Sequence, residues 1–177
     1  MLTLNGKLPN AIVSRVGEDG YETVQIADLF DEGINILVGV PGVFTPICTE
    51  EHLPSLIEAA PVLKNLGVKE IYCISDDHNW AIEAWKSVLP GSENIVFLSD
   101  GNRDLLSKIN MANDHEDLFI SGKYARFYAV IHDRKIKRLR AEQSVLKTVS
   151  TKGECIITDI HDVMKQMAEV RNLESQA

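Results

Sequence analysis

The feature that most constrains the fold is a nearly continuous apolar run at residues 34–40, Ile-Asn-Ile-Leu-Val-Gly-Val. Its length and composition are typical of a buried β-strand. Pro41 and Gly42 interrupt the run, and Leu53 and Leu56 begin a series of apolar side chains at helical spacing. The sequence therefore predicts a buried strand that leads through a short loop into an amphipathic helix.

Strands and helices alternate along the rest of the chain. The other predicted strands are residues 11–16, 21–25, 68–75, 95–99, 126–132 and 135–140. The predicted helices are residues 48–66, 79–88, 103–109 and 158–170. Pro54 and Pro61 should kink or interrupt the first helix. The first two of these strands flank Gly17-Glu18-Asp19-Gly20 and should form an N-terminal β-hairpin. This order predicts an α/β fold with a mixed central β-sheet flanked by helices.

The size and charge of the chain bound its class. With 177 residues and no internal repeat or linker, residues 1–177 are predicted to form a single domain. A net charge of −8 argues against nucleic acid or an anionic membrane as the main partner. No apolar run reaches the length of a membrane-spanning helix, and the first residues lack a signal-peptide pattern. The basic cluster at residues 134–140 is typical of a solvated strand or turn.

Cys48 lies where the predicted loop and helix favour an anionic thiolate. Thr45 is a good N-cap and Pro46 suits the first helical position, so Cys48 should fall in the first turn. The free backbone N–H groups and the positive dipole end of that turn stabilise a negative charge. Glu50 and Glu51 lie in the same turn and oppose it, so a cation from elsewhere in the chain is needed. Without the surrounding pattern, Cys48 would be interpreted as a small buried hydrophobic residue.

The cysteines and histidines argue against a disulfide framework and against a metal site. An odd count of three cysteines fits a reducing cytosolic compartment. No metal-ligand spacing links His78, His115, His132 and His161. The sequence has no Gly-rich phosphate loop and no Cys-x-x-Cys pair, which counts against a thioredoxin-type disulfide donor. We therefore expect a protein without a metal or an organic cofactor.

Pro41, Thr45 and Cys48 fit a Pro-x-x-x-Thr-x-x-Cys motif, and through this motif the chain resembles the peroxiredoxins. The longer string PGVFTPICTEEHLP at residues 41–54 is similar to the type II, or atypical 2-Cys, subfamily, also called peroxiredoxin-5-like. The resemblance extends over about residues 4–167 and implies a thioredoxin-like fold. It also implies a thiol peroxidase in which Cys48 attacks a peroxide oxygen, becomes a sulfenic acid and releases water or an alcohol.

The resemblance implies roles for three further residues. The Thr45 hydroxyl can accept the peroxide proton and donate to the developing anion, although it would otherwise serve only as the helix cap. Pro41 has no donor and would shape and shield the pocket, where it would otherwise simply end the strand. Arg126 matches an arginine of the family's Arg-(Phe/Tyr)-Ala stretch, which reaches from a strand to the cysteine sulfur and the peroxide. Judged alone, a strand-edge arginine would be a surface residue.

Glu51 and His52 follow Cys48 by three and four residues. In relatives, this region contributes to the hydrogen-bonded wall of the site and to a dimer contact. Without the resemblance, the two residues would form an ordinary exposed helix turn. We therefore expect both side chains to lie behind the residues that touch the peroxide.

The two remaining cysteines decide how a sulfenic acid is resolved. The resemblance implies that Cys155 is the resolving residue, because atypical 2-Cys relatives carry that cysteine in a late loop that corresponds to residues 151–155 here. Its alternative role is a helix-start cysteine without a partner. Cys73 lies in a predicted buried strand and is more simply a core residue, although some plant-type relatives make it a candidate partner. A disulfide between Cys48 and Cys155 requires Cα atoms within about 7 Å, so the turn around Cys48 would have to unwind.

The expected protein is a cytosolic thiol peroxidase for hydrogen peroxide and small organic hydroperoxides. The resemblance implies thioredoxin, or glutaredoxin with glutathione, as the reductant, and a homodimer packed near the active-site helix. Three alternatives remain open. They are a 1-Cys enzyme resolved by glutathione or glutaredoxin, a peroxide sensor that relays oxidation to a partner protein, and a non-redox binding or holdase role.

Overall fold

The computed structural model describes residues 1–17 and 20–174 of the chain. Within these ranges the strands are β1 (Ile12–Gly17), β2 (Gly20–Gln25), β3 (Ile34–Gly39), β4 (Val68–Ser75), β5 (Val96–Ser99), β6 (Ala112–His115), β7 (Ile120–Tyr124), β8 (Phe127–His132) and β9 (Lys135–Ala141). The helices are α1 (Leu53–Asn65), α2 (Asn79–Ser87), α3 (Asp104–Ile109) and α4 (Gly153–Glu174), and a π-helical turn (Cys48–His52) precedes α1. Short 3₁₀ turns lie at Ile26–Phe30, Ser92–Asn94 and Glu116–Leu118. The bend predicted at Glu18 and Asp19 lies outside the described residues.

Seven of these strands form one mixed sheet in the order β2-β1-β5-β4-β3-β8-β9. The strands β3, β4 and β5 run parallel to one another, and every other pairing in this sheet is antiparallel. The hairpin β1–β2 closes one edge and the hairpin β8–β9 closes the other. The predicted α/β fold, its mixed central sheet and its N-terminal hairpin are therefore confirmed.

Helices cover both faces of this sheet, which explains why β3 is apolar along its length. Its side chains alternate between two cores, with Ile36 and Val38 facing one and Leu37 facing the other. The first core is completed by side chains from α1, α2 and α4. The second is completed by α3 and the N-terminal segment. The loop that follows β3 therefore begins at the end of a buried central strand.

The start of α4 differs from the prediction. The helix begins at Gly153, whereas the sequence pattern placed its start at residue 158, so Cys155 lies in the first turn of α4 and not in a loop. The polar, Gly-containing segment 151–155 is typical of a loop, but packing against α1 makes it helical. Gly153 donates its backbone N–H to Ser55 Oγ at 3.2 Å, and a Cβ at this position would lie 2.2 Å from the Ser55 carbonyl oxygen. Only glycine permits this close approach of the two helices.

Two other elements depart from the predicted pattern. Arg126, expected on a strand, occupies a bend immediately before β8. The small antiparallel sheet of β6 and β7 was not predicted, because the β6 residues Ala-Asn-Asp-His carry no apolar alternation. Both features lie in the segment that leads into β8. Because Arg126 occupies the bend and not the strand itself, its side chain can point into the interior, where it is buried.

The basic cluster at residues 134–140 belongs mostly to β9, as the strand interpretation predicted. Asp133 and Arg134 both have positive φ angles, which is the conformation of a tight two-residue hairpin turn. Arg140 donates two hydrogen bonds of 2.8 Å to the buried carboxylate of Asp159 on α4. Tyr128 on β8 donates to the same carboxylate at 2.7 Å. These bonds fasten α4 to the sheet beyond its first turn.

Candidate active site

The loop between β3 and the π-turn is held by side chains from neighbouring elements. The backbone N–H of Val43 donates to Asp77 Oδ2 at 2.9 Å, and Asp77 follows β4. Phe44 has a φ of 57°, a strained left-handed conformation for a bulky residue. The helical backbone begins at Pro46, so Cys48 is its third residue and lies in the first turn, as predicted. The Cys48 side chain is fully buried.

Thr45 occupies the N-cap position, but its hydroxyl does not cap the helix. The Thr45 carbonyl accepts the first helical hydrogen bond, from Thr49 N–H at 3.0 Å. The Thr45 hydroxyl instead donates to the Gly42 carbonyl at 3.1 Å. This bond uses the hydroxyl hydrogen and leaves the oxygen lone pairs available to accept a hydrogen bond.

Pro54, which was predicted to kink or interrupt the helix, produces a wide turn around Cys48. Pro54 has no N–H, and in an ordinary α-helix its ring would clash with the carbonyl four residues earlier, that of Glu50. A π-helical turn avoids this clash, and in it the Leu53 N–H bonds to the Cys48 carbonyl five residues earlier. The widened turn buries both Cys48 and His52. Such π-turns inside helices occur frequently at functional sites.

Arg126 supplies the cation that the sequence required near Cys48. Its guanidinium is buried, and Nη1 donates to Cys48 Sγ at 3.3 Å and to His52 Nδ1 at 3.0 Å. Nε donates to the Lys147 carbonyl at 3.1 Å, and Nη2 donates to the Val145 carbonyl at 2.9 Å. Among the described residues, no carboxylate lies within ion-pair distance of this guanidinium. An unneutralised positive charge therefore lies directly against the sulfur of Cys48.

His52 is a neutral support for Arg126. Nδ1 accepts from the guanidinium, so Nε2 carries the hydrogen and donates to the Thr151 carbonyl at 3.1 Å. Burial, reinforced by the positive charge of Arg126, lowers the pKa of His52 to about 3. The imidazole therefore stays uncharged at neutral pH and holds the guanidinium beside the sulfur.

Pro41 and Thr45 face an apolar cavity next to this cluster. The cavity has a volume of about 340 Å³. Its other lining residues are Pro46, Ile47, Leu118, Ile120, Val145 and Leu146. Glu51, which the sequence grouped with His52, is exposed, and its side chain makes no hydrogen bond or ion pair within the described part of the chain. The two residues thus separate, with His52 in the site and Glu51 at the surface.

All three cysteines are free in the structure. Cys155 is partly buried, and its thiol donates to the Val149 carbonyl at 3.4 Å. Cys73 lies on β4 in the same core as Cys48. Burial, with a contribution from the negative charge of Cys48, raises the pKa of the Cys73 thiol far above its usual range. Cys73 is therefore held as a neutral thiol and is poorly suited to be a nucleophile.

Sequence reasoning missed the carbonyl groups that surround Arg126. Val145, Lys147 and Thr151 contribute backbone oxygens, which any residue type would provide, so no sequence signal marks them. The segment that holds these carbonyls, residues 143–151, was not assigned to any element. Within residues 1–17 and 20–174, no group of three His, Cys, Asp or Glu side chains could hold a metal ion, and no helix is long and apolar enough to cross a membrane.

The chain is similar to known proteins both in sequence and in fold. The Redoxin family model matches residues 4–153. The chain is 29% identical over 161 residues to peroxiredoxin-2B of Arabidopsis thaliana, covering 90% of this chain and 94% of that protein. It is 34% identical over 160 residues to chloroplastic peroxiredoxin-2E-2 of Oryza sativa subsp. japonica, covering 88% of this chain and 71% of that protein. The crystal structure of reduced Prx3 from Vibrio vulnificus in complex with hydrogen peroxide superposes with a TM-score of 0.83 at 27% identity, covering 90% and 99% of the two chains. The predicted thioredoxin-like fold is thereby confirmed.

The buried imidazole makes the stability of the protein sensitive to acid. Between the ordinary pKa of 6.5 and the folded value of about 3, the unfolded chain binds a proton on His52 that the folded protein excludes. The contribution of His52 is therefore complete above pH 6.5 and falls as the pH falls, by at most about 1.4 kcal/mol per pH unit. We expect His52→Asn to flatten the pH dependence of the unfolding free energy between pH 4 and pH 6, measured by urea titration.

The exposed His161 on α4 provides the matched control. His161→Asn should leave the slope of unfolding free energy against pH unchanged. Equal slopes for the wild type and His52→Asn would contradict the assignment of a neutral buried His52.

Proposed function

The chain belongs to the redoxin family as a peroxiredoxin of the type II, peroxiredoxin-5-like group, and we propose that its peroxidase activity uses Cys48 as the nucleophile. The observation that carries this proposal is the 3.3 Å contact between Arg126 Nη1 and Cys48 Sγ inside a buried cluster. A permanent cation next to the sulfur favours the thiolate, which is the reactive form. Thiolate character is only one requirement for a fast reaction, because the peroxide must also be oriented.

The chemical step follows from the positions of three groups. The Cys48 thiolate attacks the hydroxyl oxygen of the hydroperoxide, an S–O bond forms and the O–O bond breaks. Sulfur is oxidised to the sulfenic acid, and the peroxide is reduced to an alkoxide or hydroxide that takes up a proton and leaves as alcohol or water. The Thr45 oxygen, whose hydrogen is bound to Gly42, can accept the peroxide O–H and orient it. Arg126 stabilises the charge that develops on the departing oxygen.

The apolar cavity supports organic hydroperoxides as substrates beside hydrogen peroxide. It is lined by Pro41 and Thr45, two residues of the motif, and otherwise almost entirely by aliphatic side chains. An alkyl group of a hydroperoxide can be buried there while its O–O bond points to Thr45. Hydrogen peroxide has no such group and would use only the polar end of the site.

For the second step, we propose that Cys155 attacks the sulfenic acid, forms the Cys48–Cys155 disulfide and releases water. Both cysteines lie in first turns of helices, and Cys48 is fully buried, so these turns must unwind locally. One observation supports the 1-Cys alternative as the second candidate, namely that Cys155 lies inside α4 with its thiol bound to the Val149 carbonyl. In that case, glutathione or glutaredoxin would resolve Cys48 directly.

The reducing partner is a thiol protein or peptide. We propose thioredoxin if the disulfide forms and glutaredoxin with glutathione if it does not, in a cytoplasmic setting suited to free thiols. We also propose a homodimer packed near the active-site helix. Exposed apolar side chains near the cavity, namely Phe44, Leu118, Phe119 and Leu146, support such a contact.

Removal of the cation should disable the first step. We expect Arg126→Ala to slow the reaction of the reduced protein with hydrogen peroxide by orders of magnitude, because both thiolate stabilisation and charge stabilisation in the transition state are lost. Stopped-flow kinetics of the first turnover measures this rate. Arg134→Ala, at the exposed β8–β9 turn, is the control and should react at the wild-type rate. An unchanged rate in Arg126→Ala would contradict the proposal.

The resolving step can be read directly from the oxidised protein. After one equivalent of hydrogen peroxide is added to the reduced chain, we expect peptide-mapping mass spectrometry to find a Cys48–Cys155 link. Cys155→Ser should then accumulate sulfenic acid at Cys48, whereas Cys73→Ser should behave as the wild type. Sulfenic acid at Cys48 with Cys155 free in the wild type would instead establish the 1-Cys cycle.

Substrate preference tests the cavity separately. Leu118→Gln places a polar group in the cavity wall, and we expect it to raise the KM for cumene hydroperoxide by about tenfold while the KM for hydrogen peroxide stays the same. Leu173, near the end of α4, is exposed and does not line the cavity, so Leu173→Gln is the matched control. Equal effects of Leu118→Gln on both peroxides would show that the cavity does not hold the alkyl group.

A further inference from the structure

Glu142 is the first residue after β9, and it touches neither Cys48 nor the cavity. Its backbone N–H donates to the Arg126 carbonyl at 2.9 Å, which continues the β8–β9 pairing by one step. The backbone of Glu142 is therefore fixed relative to that of Arg126. The Glu142 side chain has no part in the proposed reaction steps.

The Glu142 carboxylate is held by four donors from the far end of the following loop. Oε1 accepts the backbone N–H groups of Val149 at 2.7 Å, Ser150 at 2.6 Å and Thr151 at 3.0 Å. It also accepts the Thr151 hydroxyl at 3.1 Å. Successive N–H groups that converge on one oxygen form an anion-binding nest. Partial burial opposes the charge of Glu142, but these hydrogen bonds outweigh it and lower the pKa of the carboxyl.

The closed loop, residues 143–151, supplies the acceptors that orient the active-site cation. The carbonyls of Val145 and Lys147 accept two of the hydrogen bonds of the guanidinium, from Nη2 and Nε of Arg126 respectively. The Thr151 carbonyl binds His52, which in turn binds Nη1 of Arg126. A shift of the loop would therefore move the guanidinium away from the sulfur.

Apart from the bonds to Arg126, His52 and Glu142, the loop has few polar contacts. Val145, Thr148 and Thr151 are buried, whereas Leu146 and Val149 are exposed. The remaining polar bonds are the Ser144 turn, the contact between the Thr148 and Thr151 hydroxyls at 3.3 Å and the bond from the Cys155 thiol to the Val149 carbonyl. The carboxylate of Glu142 joins the two ends of the loop. Residues 143–151 contain no acidic side chain, so Glu142 supplies the negative charge at this junction. Loss of this charge would release three consecutive amides at once.

We propose that Glu142 is a positioning residue for peroxide reduction, which holds loop 143–151 so that its carbonyls keep Arg126 and His52 in place beside Cys48. This inference rests on the proposed function, because it assigns Arg126 to the reaction with peroxide. Glu142 acts through Arg126 and does not touch the substrate. Its effect on the rate therefore requires that Arg126 be present.

The test uses Glu142→Gln, which preserves the shape of the side chain and removes its charge. We expect the first-turnover reaction with hydrogen peroxide to slow by between about tenfold and a hundredfold, the loss that a misplacement of about 1 Å produces. The alkylation of Cys48 by iodoacetamide, followed as a function of pH, should shift to higher pH, because the displaced guanidinium no longer lies beside the sulfur. In an Arg126→Ala background, Glu142→Gln should produce no further loss, because the two residues act as one unit.

Glu154 is the matched control, since it is an exposed carboxylate near the start of α4. Glu154→Gln removes the same charge and should leave the peroxide rate and the alkylation rates unchanged. If Glu142→Gln fails to fold, Thr151→Val removes a single donor to the carboxylate and should slow the peroxide reaction by about threefold in the same direction.

Two results would overturn the proposal. The first is a peroxide rate in Glu142→Gln, or in Thr151→Val if that variant is used, equal to that of the wild type. The second is an equal loss from Glu142→Gln with and without Arg126, which would indicate a general effect on folding. If the wild-type Cys48 itself fails to react with peroxide, the proposed function is wrong. A reactive wild type with an equally reactive Glu142→Gln refutes only the role of Glu142.

Discussion

The site depends on one buried positive charge that no carboxylate within the described residues neutralises. Carbonyl oxygens and a neutral imidazole satisfy the N–H groups of Arg126, but they leave its charge uncompensated. Burial of an unpaired cation is strongly unfavourable, so the contact between the guanidinium and the sulfur of Cys48 is the interaction around which the site is built. The cation is already in place in the folded protein before any peroxide arrives.

The backbone turn that contains Cys48 also brings His52 into the site. Because Pro54 cannot donate a hydrogen bond, the first turn widens and carries His52 into the interior with Cys48. Ser55 donates to the His52 carbonyl at 2.8 Å and accepts from the Gly153 N–H, so the turn is connected to the start of α4. A proline that breaks helical regularity in the sequence thus creates the local geometry of the site. Cys48 and Cys155 therefore lie in two turns that Ser55 links directly by hydrogen bonds.

The sequence predicted the framework well because its signals were local. The apolar run of β3, the turn residues after it and the periodicity of the helices identify the sheet and the placement of Cys48. The start of α4 was missed because packing of Gly153 against α1 overrides the loop-like composition of residues 151–155. The inward turn of Arg126 was inferred from family resemblance and not from its own residue pattern. Carbonyl groups and the loop closed by Glu142 have no side-chain signature, so only three-dimensional structure reveals them.

Loop 143–151 is connected to both Cys48 and Cys155. Its carbonyls hold Arg126 beside Cys48, and one of them also binds the Cys155 thiol. The Val149 N–H is bound to Glu142, whereas the Val149 carbonyl receives the thiol of Cys155. In the proposed cycle, order in this segment would speed the formation of the sulfenic acid at Cys48, but the same order would delay the arrival of Cys155. The rigidity of the loop would then govern the lifetime of the sulfenic acid, and a longer lifetime gives a second peroxide more time to convert it irreversibly into the sulfinic acid. Sensitivity to oxidative inactivation would in this way be a property of a surface loop and not of the cysteine itself.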